Sequence, residues 1–92
     1  MTLDEIFQHP AIRGVAIGCV AGHLHADKHD VAHAHIAGRG RGWICLTSRR
    51  HLNRTTLTHE LAHLVLGSAV HSKAWKKIVR QLGGRVERRY LI

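Results

Sequence analysis

His59-Glu60-Leu61-Ala62-His63 is the stretch that leaves this chain least freedom, because its chemistry works on only one kind of secondary structure. Residues four apart stand one turn above each other on a helix, so His59 and His63 can turn their imidazoles toward one metal ion. Glu60 lies about 100° further round and stays on that side. Two histidines so spaced, with a glutamate after the first, form the pattern in which the histidines hold zinc. The glutamate, itself no ligand, then serves as general base on a metal-bound water. Ten histidines in 92 residues favour coincidence more than usual. Composition alone still produces the match in only about 3 of 100 such chains.

The neighbouring residues predict a helix over 54–66. Leu57, Leu61 and Leu64 fall opposite the histidines, with Val65 beside them, giving an apolar face that can pack on a core. Asn53 or Thr55 can cap the start, and Gly67 can end the helix in a left-handed turn. A catalytic zinc takes three protein ligands and keeps one position for water, so a third ligand must come from outside this helix. His71 follows the break at Gly67 and precedes Ser72, a plausible N-cap for a second helix, and is the preferred ligand. The longer zincin pattern, with glycine three and histidine six residues after the second ligand, does not apply, since Leu66 and Ala69 occupy those positions. Glu87 is the rival third ligand, the only acidic residue after Glu60, set in an Arg-rich tail that can neutralise it.

The run Gly42-Trp43-Ile44-Cys45-Leu46-Thr47, then Leu57-Thr58-His59-Glu60-Leu61-Ala62-His63, then His71-Ser72-Lys73-Ala74-Trp75 resembles the core of SprT-like (Spartan-type) zinc metalloproteases. The resemblance spans about residues 42–84. It implies a small zincin-like domain with one catalytic zinc ion on His59, His63 and His71 and with Glu60 as catalytic base. The sequence departs from the family in two places: the loop between His63 and His71 is short, and Ser72 stands where a glycine usually follows the third histidine.

Taken in order, the chain reads as a single α+β domain over 1–92. Residues 2–9 suggest a short helix, with Thr2 as cap, Asp4 and Glu5 at its positive end, and Pro10 ending it. Val15–Val20 is a short apolar run consistent with a buried strand. The polar segment to Asp30 reads as a loop. Val31–Ala37 alternates, with His33 and His35 on one face and Ala32, Ala34 and Ile36 on the other. Glycines 38, 40 and 42 permit a turn, and Trp43–Thr47 returns as a second strand of a hairpin. Ser48–Asn53 leads into the metal helix. A strand beside that helix would offer an extended peptide a sheet edge. After Ser72, residues Ala74, Trp75, Ile78, Val79 and Leu82 recur at helical spacing, and Gly83-Gly84 stops the helix. Trp75 is read as core rather than pocket wall. The tail 85–92 can form a last strand, and Tyr90 is not assigned to the site.

Cys19 and Cys45, without paired spacing, point to a reduced cytoplasmic protein, and no apolar stretch approaches the roughly 18 residues of a membrane span. His23, His25, His29, His33 and His35, with Asp27 or Asp30, could make a second metal site. Their irregular spacing favours surface or supporting roles. His9 and His51 carry no pattern. A purely structural zinc would need a fourth protein ligand, for which Cys45 is the candidate. The net charge of +8 suits a phosphate backbone or an acidic protein surface. The resemblance implies protein substrates, including proteins attached to DNA. Two functions compete with a metalloendopeptidase of that kind. One is a small basic nucleic-acid-binding protein with a structural zinc; the other is a protease that cuts one regulator, such as a repressor.

Overall fold

The computed structural model describes residues 2–17, 32–46 and 53–91, the Leu3 side chain excepted. The predicted loop to Asp30 and the lead-in 47–52 lie outside these residues. Three helices and a three-stranded mixed sheet make an α+β arrangement. Helix α1, Leu3–Phe7, starts in a capping box: the Glu5 amide donates to the Thr2 hydroxyl, and the Thr2 amide to the Glu5 carboxylate. It buries Ile6 completely.

Strand β1, Gly14–Ile17, pairs parallel with β3, Arg41–Leu46, while β2, Ala32–Gly38, pairs antiparallel on the other side of β3. The order β1-β3-β2 leaves β2 at one edge. Two expectations change here. The run from Val15 is not a buried strand over its described part, since only Val15 of β1 is even partly covered; the edge position leaves its other residues exposed. The tail is not a strand either: after Gly84 it follows an irregular path to a 3-10 turn at Arg88–Tyr90, closed by the Tyr90 amide donating to the Glu87 carbonyl.

The hairpin forms as predicted, with one irregularity. Gly38 pairs with Arg41 but Ile36 pairs with Gly42, so Ala37 is an extra residue on β2, a bulge. Gly42 has φ +146, and a Cβ there would run into the His35 carbonyl and lie 2.9 Å from the Leu64 side chain. Only glycine allows β3 this close to the helix beneath it.

Helix α2, Arg54–Leu66, lies under the sheet. Asn53 caps it by accepting from the Thr56 amide at 3.0 Å, and Gly67, with φ +66, ends it. Its Leu57, Leu61 and Leu64 meet Ile44, Ala32, Ala34 and Leu46 on one face of the sheet. A neighbouring stripe carries Ala62, which packs with Trp75, Val79 and Val86. Helix α3, Lys73–Gln81, supplies that second layer and is capped by Ser72, whose hydroxyl accepts from the Trp75 amide. The hairpin turn is tied to the end of α2 by the Gly40 amide, which donates to the Leu64 carbonyl at 2.7 Å. With two faces of α2 committed to packing, the third, bearing His59, Glu60 and His63, is left for chemistry. No described helix is long and apolar enough to cross a membrane.

Candidate metal centre

His59 and His63 project from α2 and His71 from the segment between Gly67 and the Ser72 cap, and their ring nitrogens converge. His59 Nε2 lies 3.3 Å from His63 Nε2 and 3.3 Å from His71 Nε2. Around a tetrahedral zinc with bonds of about 2.0–2.1 Å, two nitrogens stand about 3.3 Å apart. Both distances from His59 therefore match a metal's donor spacing, and all three donor atoms lie within 4.8 Å of one another.

The orientation of each ring has a local cause. After Gly67 the chain reverses, and Ser68 clasps the end of α2: its amide donates to the His63 carbonyl at 3.1 Å, and its own carbonyl faces His63 Nδ1 at 3.0 Å. A carbonyl only accepts, so His63 must carry its proton on Nδ1, leaving Nε2 with a lone pair for a metal. Trp75 donates from Nε1 to the His59 carbonyl at 3.1 Å, fixing α3 against the histidine-bearing turn of α2. Its ring also stands 4.7 to 5.5 Å from all three imidazoles. Trp75 is thus core, as expected, at 1% exposure, and also the floor of the centre. Tyr90, not foreseen in the site, stacks on His71 at 4.3 Å. Helical spacing carried no trace of it, because the 3-10 turn that delivers it depends on the tail's path.

Two carboxylates flank His59. Glu60 is buried, with Oε1 3.7 Å from Nε2, on the side where the imidazoles converge. Glu87 approaches from behind, 3.9 Å from Nδ1, and pairs with Arg89 at 3.5 Å. His71 belongs to the converging donor set and Glu87 does not. At 3.9 Å the Glu87 contact is too long for a hydrogen bond and acts as a charge at the back of the ring.

Burial favours neutral imidazoles here. It is the main reason His59 is lowered from 6.5 to about 4, with the neighbouring His63, His71 and Arg89 adding to the effect. Burial also lowers His63, against the raising effect of the Ser68 carbonyl. His71 is lowered by burial and by Arg89, partly offset by Glu87. Neutral, correctly protonated imidazoles are the form that ligates metal. The cleft in front of them is lined by His59, Glu60, His63, His71 and Tyr90, and by Ala32, His33, Ala34 and Ile36 of edge strand β2.

Of the other candidates, Cys45 does not join this cluster; it lies with His33 and His35. His23, His25, His29, Asp27, Asp30, His51 and Cys19 are outside the described residues. His9 accepts from the Ala11 amide at 3.2 Å, a local turn contact. Comparison with known proteins found no family model, no characterised protein and no solved structure that matches the chain.

Proposed function

We propose that this chain is a zinc-dependent endopeptidase of minimal, zincin-like SprT type, acting on protein segments in extended form. The observation that carries the reading is a set of three converging imidazole nitrogens, two pairs of them 3.3 Å apart, with a buried carboxylate 3.7 Å from one of them.

His59, His63 and His71 would hold the metal. Zinc bound there supplies Lewis acidity, lowering the pKa of a bound water toward about 7 and polarising a carbonyl oxygen. Glu60 accepts the proton of the attacking water and delivers it to the leaving amine, since its oxygen faces the cleft side of His59. Strand β2 contributes the substrate's alignment. It is an edge strand, and its Ala32, Ala34 and Ile36 border the same cleft, so an added peptide strand would run past Glu60. Tyr90 and Trp75 keep the imidazoles from swinging by packing against them.

DNA-associated proteins are the substrate class that the resemblance to SprT-like proteases implies, and the chain's basic surface is compatible with it. Lys73, Lys77 and Arg80 are exposed on α3, and Arg85, Arg88 and Arg89 continue the basic surface. Such a surface binds phosphates without reading sequence and weakens as salt rises. The test is cleavage of an unfolded protein by wild type and Glu60→Gln, each zinc-loaded, with and without DNA. Cleavage by the wild type alone supports the enzyme. If neither protein cuts and both bind DNA equally, the chain is a basic binding protein with a structural metal.

A further inference from the structure

A second donor cluster lies on the other face of the sheet, and we infer that His33, His35 and Cys45 form a separate metal site containing a thiolate. His33 and His35 are two apart on β2 and so share a face, and Cys45 is the β3 residue directly across from His33. Their ligand atoms all lie within 4.8 Å of one another. This face is the one turned away from α2, because the alternate residues Ala32, Ala34, Ile44 and Leu46 are those packed with Leu57, Leu61 and Leu64. The two donor sets share no residue, although His33 of edge strand β2 also borders the cleft of the three-histidine centre.

The arrangement depends on the bulge at Ala37. Without that extra residue, the Gly38–Arg41 pairing would continue as His33 opposite Leu46 and Ala34 opposite Cys45. The thiol would then sit on the opposite face, since a one-residue slip reverses every side chain. With the bulge, the thiol joins the imidazoles. Cys45 is fully buried, and His35 is held flat on Trp43, with ring centres 5.0 Å apart and planes at 20°.

His33 Nε2 and His35 Nε2 are 2.9 Å apart, which is also a good imidazole–imidazole hydrogen bond. Two imidazoles and a thiolate suit zinc and exclude hard ions such as magnesium and calcium. A bound ion would widen the nitrogen pair to about 3.3 Å and require loss of the thiol proton. Bridging β2 to β3, it would lock the register of the strand that borders the peptidase cleft.

Cobalt(II) separates this site from the first, because the three-histidine centre contains no sulfur. Titrating the metal-free full chain with cobalt should give two bound equivalents and a thiolate-to-cobalt charge-transfer absorption. Cys45→Ser should remove that absorption and one equivalent. Cys19→Ser, which leaves Cys45 as the only thiol, should keep both, and it serves as the test even if Cys45→Ser does not fold. No sulfur band in the wild type, a band that survives Cys45→Ser, or its loss in Cys19→Ser overturns the site. The outcome is independent of whether Glu60 supports cleavage.

Discussion

Glu60 and Glu87 approach the same imidazole from opposite sides, and their surroundings divide the work between them. Glu60 is buried beside Nε2, whereas Glu87 is half-exposed behind Nδ1 and shares its charge with Arg89. Glu60→Gln should keep the metal and lose about 10²- to 10⁴-fold in turnover, the range for one general base. Glu87→Gln should retain full metal stoichiometry with at most about tenfold weaker binding, the low end for an outer-shell partner. His71→Ala should bind zinc far more weakly in chelator competition. If Glu87→Gln emptied the site while His71→Ala did not, the ligand assignment would be reversed. Spacing alone identified His59, Glu60 and His63, because a helix turns sequence intervals into geometry. Tyr90 and the pairing of Cys45 with His33 were invisible at that level, since each depends on where a distant segment lies.

At the scale of elements, the ends of α2 and α3 were legible because capping is local. Asn53, Gly67 and Ser72 each bond to a residue within a few positions of themselves. The Gly67 turn does more than end a helix, since it brings the Ser68 carbonyl to His63 Nδ1. Gly67→Ala would force a side chain into φ +66, with its Cβ 3.3 Å from the Arg39 side chain. The cost is about 1–2 kcal/mol, read as a lower urea midpoint, and zinc affinity should fall with it. Unchanged affinity at lowered stability would mean that the Ser68 contact does not orient the ring. The exposure of β1 and the irregular tail were misread for a common reason. Short apolar or alternating runs fit several environments, and only the partner decides between them. The bulge at Ala37 belongs here too: three alternating glycines permit a turn, but they do not state where the register slips.

For the whole molecule, the clustered histidines, of which His63 is buried, His59 half-buried and His71 exposed, make stability depend on pH. In the metal-free chain the folded state holds His59, His63 and His71 below their unfolded value of 6.5, His59 at about 4. The unfolded chain therefore binds more protons as pH falls through 6.5, and folding loses free energy down to about pH 4, where His59 also protonates when folded. Urea midpoints measured on the metal-free chain at pH 7.5, 6 and 5 should decline, and a flat profile would contradict the burial of these rings. Zinc at saturating concentration should raise the midpoint at pH 7.5 by mass action, and acid should remove that gain as protons compete for the imidazoles. What the sequence determined by itself is whatever periodicity and capping fix within a few residues: the metal helix, its histidine face, its leucine face, and the helix after Ser72. The tertiary structure alone decided which strand became the edge, which carboxylate stands behind His59, and which face of the sheet receives Cys45. Those outcomes rest on contacts between residues far apart in the chain, and the same local pattern is compatible with either answer until the chain has packed.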